Sequence, residues 1–182
     1  MDETTEIDYR QRFAGGTPFP AYLDEVRKNE ELWRAVWERA KLPPKMVEEA
    51  RELGGTWHLL ALSEDWCGDA VNTLPVLARF AEAVPGWELR VLARDENPDI
   101  MDEHLTDGRA RSIPVVMLFD EDFVEQGWWG PRPTELQRWV LDNLSMASVD
   151  RYREVRRWYA RDRGRTVVRE VLDLAAAVTS AV

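Results

Sequence analysis

Residues 57–70 read WHLLALSEDWCGDA and place the only cysteine of the chain, Cys67, between a short apolar run and a helical one. Trp57 to Ser63 is apolar and of strand length, while Ala70, Val71, Leu74, Leu77, Ala78 and Ala81 recur at helical spacing. The pattern predicts a buried strand, a turn, and a helix with Cys67 at its N-terminus. At such a terminus the unpaired backbone N–H groups and the positive end of the helix dipole favour the thiolate, the nucleophilic form. Cys67 is thus a candidate nucleophile, against the alternative that a free cysteine is simply a small buried hydrophobe. Asp69 admits two roles, a cap on the first helical turn or a proton relay to a group bound at Cys67. A carboxylate so close would also raise the thiol pKa and oppose the dipole.

Upstream, Tyr22, Val26, Trp33, Val36, Trp37 and Ala40 form an apolar helical stripe between Pro20 and Ala40. Pro43-Pro44 breaks it before a short helix, Lys45 to Leu53, which Gly54-Gly55 ends. Gly15-Gly16 followed by Pro18 reads as a flexible turn. Downstream, Leu89 to Ala93 is strand-like, and a helical stretch from about Val149 to Val178 has a break at Gly164. That stretch begins with a run of arginines from Arg151 to Arg165 and ends in apolar residues. It reads either as an arm for an anionic or protein partner or as a solvated arginine face, with Tyr152, Val155, Trp158 and Tyr159 packed on the domain. Trp66, Trp87, Trp128 and Trp129 read as core or rim packing, with Trp66 shaping access to Cys67.

Composition narrows the function classes. At 182 residues with 45% hydrophobic content, the chain can build one well-packed domain. A single cysteine excludes an internal disulfide framework, and the opening Met1 to Glu6 has neither a basic nor an apolar region for secretion, so a cytoplasmic location is expected. No apolar run approaches the roughly 20 residues of a membrane span. The formal net charge of −10 disfavours nucleic acid, whose binders cluster Lys and Arg against phosphates. His58 and His104 are the two histidines, expected as surface or strand residues, and with one cysteine they offer no metal-ligand spacing. No metal or resident cofactor is expected. Neither a Gly-rich phosphate loop nor a serine nucleophile motif is present.

Around Cys67 the chain resembles the thioredoxin family, whose active site reads Trp-Cys-Gly-Pro-Cys at a strand-to-helix junction. Further landmarks fall in order. Pro75 lies where the family's long helix carries a kinking proline, and Asn97-Pro98 follows the Leu89 to Ala93 strand as the family's turn into its next helix does. Ser112-Ile113-Pro114 before Val115 to Phe119 is similar to the family's cis-proline loop feeding a central strand, and Gly130 falls where the family has a glycine before its last helix. The resemblance covers about Trp57 to Leu144. It implies an α/β thioredoxin-like fold, a central mixed β-sheet flanked by helices, here with helical N- and C-terminal extensions. The expected organisation is a helical N-terminal extension over 1–55, a thioredoxin-like domain over 56–145, and a C-terminal helical extension over 146–182 packing on the domain.

Departures from the family pattern shape the expected chemistry. Ala70 stands where the resolving cysteine would be, Asp69 replaces the intervening proline, and the positions of the family's buried acid and its lysine partner are Ala61 and Val91. An intramolecular disulfide cannot form. The resemblance therefore implies a monothiol oxidoreductase, in which Cys67 attacks a disulfide, a small-thiol adduct or a peroxide, and an external low-molecular-weight thiol resolves the product. Cys67 and Asp69 are the expected catalytic residues. Trp66, Gly68, Ser112, Ile113 and Pro114 are the expected contacts for the thiol or disulfide substrate, a protein or a small molecule, with an extended substrate pairing at the Ser112 and Ile113 backbone. The alternative is a non-catalytic thioredoxin-fold module that binds another protein.

Overall fold

The structure is a computed structural model that describes residues 6–181; the start of the acidic opening, Met1 to Thr5, lies outside them. The apolar run becomes strand β2 (Trp57–Ser63), which sits at the centre of a five-stranded sheet. Its neighbours are β3 (Trp87–Ala93), parallel, and β4 (Val115–Phe119), antiparallel. The sheet is completed by β1 (Thr17–Pro18), antiparallel to β3, and by β5 (Glu125–Trp129), antiparallel to β4, in the order β1-β3-β2-β4-β5. The fold is the α/β thioredoxin-like architecture, a mixed sheet flanked by helices.

β2 is buried on both faces, which explains its nearly unbroken apolar reading. On the face of Trp57 and Leu59 lies α5 (Gly68–Ala83), whose Phe80 meets Trp87 edge-on at 5.3 Å. The other face takes α1 (Tyr9–Gly15), with Phe13 against His58 and Tyr9 against Phe119. Pro75 lies inside α5 and leaves the Val71 carbonyl without its ordinary helical donor. The Ile113–Pro114 and Gly130–Pro131 peptide bonds are both cis; the second had no sequence signal.

The Pro20 to Ala40 stripe is not one helix. It divides into α2 (Phe19–Glu25) and α3 (Glu30–Arg39), because the Arg27 and Lys28 amides turn outward to donate to the Asp65 carboxylate at 2.9 and 3.0 Å. Fully buried Trp33 donates its indole N–H to the Asp65 carbonyl at 2.9 Å, so α3 and the loop before Cys67 are tied together. Gly15-Gly16-Thr17-Pro18 is likewise not a free turn. Thr17 and Pro18 pair with Val91 and Arg90 as an edge strand, where a proline is tolerated, and Gly16 packs so closely that a Cβ would lie 3.0 Å from Arg90.

After α4 (Pro44–Leu53), β2 and α5 come α6 (Pro98–Glu103), α7 (Thr134–Asp142), α8 (Ser148–Asp162) and α9 (Arg165–Ser180). One continuous core contains buried side chains from Phe13 to Ala175. A smaller, separate cluster joins Leu136 and Val140 of α7 to Val155 and Tyr159 of α8. Tyr152, expected to pack, is instead 53% exposed, because the α8 stripe that faces α7 is set by Val155 and Tyr159.

Candidate functional site

Cys67 is the N-cap of α5, with φ −78° and ψ 114°. Its Sγ accepts the Ala70 amide N–H at 3.4 Å and its S–H donates to the Ile113 carbonyl at 3.4 Å. The Cys67 amide donates to the Glu64 carbonyl, closing the turn that follows β2. The thiol therefore lies between the first turn of α5 and the Ser112-Ile113-Pro114 loop, in the place the sequence predicts, but only 6% of the residue is exposed. That burial corrects the expected thiolate. Desolvation pushes the Cys67 pKa above the ordinary thiol range and the nearby Asp69 charge adds to it, outweighing the Ala70 amide, the Asp69 amide and Arg132.

Asp69 is not a helix cap. The cap is the Cys67 sulfur, and both Asp69 oxygens turn away toward Arg132, whose Nε and Nη2 donate at 3.0 and 2.9 Å. The Tyr159 hydroxyl of α8 donates to the same carboxylate at 2.7 Å. Arg132 in turn donates to the Gln137 side chain of α7 at 2.8 Å. Burial lifts the Asp69 pKa, and Arg132 and Tyr159 act against it; the Tyr159 hydroxyl is itself raised by burial and by the Asp69 charge. With side-chain exposures of 12% for Asp69 and 19% for Arg132, this is a largely buried ion pair, and removing one partner would cost about 3–5 kcal/mol. Arg132 and Gln137 escaped the sequence reading, and Tyr159 entered it only as packing. The available signal was Pro131-Arg132-Pro133 directly after Gly130, an arginine between two prolines just before the helix that the resemblance places there.

Around the thiol, Trp66 is 46% exposed with the Arg94 guanidinium over its ring, and Gly68 is exposed. Ser112 is half-buried, while Ile113 and Pro114 are buried. Gly130, at φ 140°, lies against Pro114; a Cβ there would meet the Pro114 carbonyl at 2.1 Å, so only glycine permits this approach. Tyr22 donates or accepts at Ser63 at 3.4 Å, and burial pushes its hydroxyl up to about 12. Ala61 and Val91 are direct neighbours across β2 and β3, both buried, so an apolar pair stands where the family has its acid and lysine. Ala70 places a buried methyl at the resolving position.

His104, expected at the surface or in a strand, is buried at the end of α6. Its Nδ1 bonds the Ile100 carbonyl at 2.7 Å and its Nε2 the Glu125 carboxylate at 2.9 Å. Among the described residues no group of three or more His, Cys, Asp or Glu could hold a metal ion, and no helix is long and apolar enough to cross a membrane.

A central mixed sheet, a thiol at the first turn of α5, and a cis-proline loop against that thiol define a protein of the thioredoxin fold with a one-cysteine site. The sequence model of the family described as Thioredoxin matches residues 16–153, and the chain belongs to that family. It is similar to a solved protein of unknown function from Pseudomonas aeruginosa, with a TM-score of 0.77 and 21% identity over 95% of this chain and 99% of that one. An HIV epitope-scaffold is similar at a TM-score of 0.75 and 20% identity, over 94% of this chain and 99% of that one. No curated protein matches the sequence. At these identities the likeness speaks for the fold alone.

Proposed function

We propose that this chain is a monothiol oxidoreductase acting through Cys67. The observation that carries the reading is the seat of the sulfur, 3.4 Å from both the Ala70 amide and the Ile113 carbonyl, with Trp66 and Gly68 open to solvent on either side. On losing its proton, Cys67 sulfur attacks one sulfur of a disulfide, forms a mixed disulfide with it, and expels the other half as a thiolate. An external low-molecular-weight thiol then gives up its proton and attacks the mixed disulfide. This returns the Cys67 thiolate and releases a new disulfide, so the external thiol is oxidised and the first substrate reduced. Ala70 has no sulfur for this second step, which is why the co-substrate must come from outside. Asp69, bonded to Arg132 and Tyr159, acts as a positioning residue that sets the charge around the thiol.

A second reading, a non-catalytic protein-binding module, draws on the burial of Cys67 and its raised pKa. One experiment separates the two. The folded protein is treated with a small neutral disulfide at pH 8.5, read by intact mass, and then given an excess of a small thiol. A single adduct at Cys67 that the thiol removes, and that is absent in Cys67→Ser, is the expected result. A Cys67 that stays unmodified when folded yet reacts in urea would overturn the oxidoreductase reading in favour of the binding module.

A further inference from the structure

A groove of about 420 Å³ begins at Ser112 and Arg132, one residue from the Ile113 carbonyl and in direct contact with Asp69. It runs outward between the 106–112 loop and the corner of α7 and α8. Its volume falls in the range of small-molecule sites and is far too small for a folded partner. Two properties describe what fits. First, its walls carry three large hydrophobic side chains that are exposed: Leu141 at 48%, Leu144 at 60% and Tyr152 at 53%. Second, its charge opposes that of the chain. Arg132 is neutralised by Asp69, but Arg109 and Arg151 face the groove against a single carboxylate, Asp107, in a protein of net charge −10. The Arg109 amide donates to the Thr106 carbonyl, but its guanidinium makes no hydrogen bond or ion pair among the described residues. Arg151 is held in place through Nη1, which donates to the Leu144 and Met146 carbonyls, and its remaining donors are available.

We propose that this groove is the substrate site of Cys67 and selects small disulfides that carry a carboxylate beside an aromatic or apolar group. The carboxylate meets Arg109 and Arg151, the apolar part lies on Leu141, Leu144 and Tyr152, and the sulfur end reaches the site past Ser112. An arginine pair reading a planar carboxylate gives orientation as well as attraction. The assignment rests on the monothiol reading for its chemistry, although binding in the groove does not.

The test uses the full chain and two matched probes, 4,4′-dithiodibenzoate and its neutral diamide, with reaction rates at Cys67 divided by those of the urea-unfolded protein. A third probe, 4-(methylthio)benzoate, has no disulfide and reports binding alone by NMR shift mapping. The expected result is a preference of about fivefold or more for the dicarboxylate. That preference should disappear in Arg109→Gln, and the thioether should saturate at groove residues in the parent but not in the variant. Equal corrected rates for both disulfides with no saturable shifts would overturn the groove assignment while leaving the monothiol reading standing. Saturable groove binding with neither disulfide reacting would uphold the groove and remove the chemistry.

Discussion

The protonation of Cys67 is decided by competition among neighbours a few ångströms away. The helix start and the Ala70 amide favour the thiolate, burial and the Asp69 charge favour the thiol, and the second pair wins. Asp69→Asn separates these effects. It removes one charge that raises the thiol and leaves Arg132 positive and uncompensated, while Asn still offers acceptors to Tyr159 and Arg132. The midpoint of the Cys67 alkylation rate against pH should therefore move to lower pH. Well below that midpoint, alkylation should be about tenfold faster for every pH unit by which it falls. An unchanged or higher midpoint would show that Asp69 acts on the thiol through packing and not charge. At this scale the identity of the candidate thiol, and the sign of Asp69's influence on it, were legible in residues 66–70. The partners of Asp69 were not, because Arg132 and Tyr159 lie 63 and 90 residues away along the chain.

Among the elements, the junction of α8 and α9 shows how a single residue seats the C-terminal helices. Gly164 has φ 77°, and a Cβ there would come within 2.6 Å of three side-chain atoms of Val76 on α5. Gly164→Ala combines left-handed strain of about 1–2 kcal/mol with overpacking of about 1–3 kcal/mol. It should lower the unfolding free energy read from urea denaturation by an amount in that combined range and loosen α8, whose Tyr159 reaches Asp69. Denaturation that matches the parent would mean the helices do not depend on this close approach. The break at Gly164 was visible in the sequence, as were the strand and helix on either side of Cys67. The division of α2 from α3 was not, because the hydrogen bonds that turn the chain there end on Asp65, a loop residue of another segment.

For the whole molecule, pH acts on stability through His104, which joins α6 to β5. Both of its ring nitrogens face acceptors, so the imidazolium is the form that fits. Burial alone would pull its pKa down, but Glu125 and the Ile100 carbonyl more than reverse this and raise it above 6.5. A raised folded-state pKa means the stabilisation is fully present below about pH 6.5 and is lost as pH rises through the folded value. Thermal midpoints of the parent should therefore fall relative to His104→Gln as pH climbs from about 6 to 9, by at most about 1.4 kcal/mol per pH unit in free energy. Parallel curves would exclude His104 as the titrating group. What the sequence determined alone was local: the period of β2 and α5, the thiol at their junction, and the loss of a resolving cysteine, all written in neighbouring residues. The tertiary structure alone decided whether that thiol is exposed, which charge surrounds it, and what lies beside it. Those properties depend on desolvation and on side chains from α7, α8 and the Arg132 loop, which become neighbours of Cys67 only when the sheet and its helices close around one core.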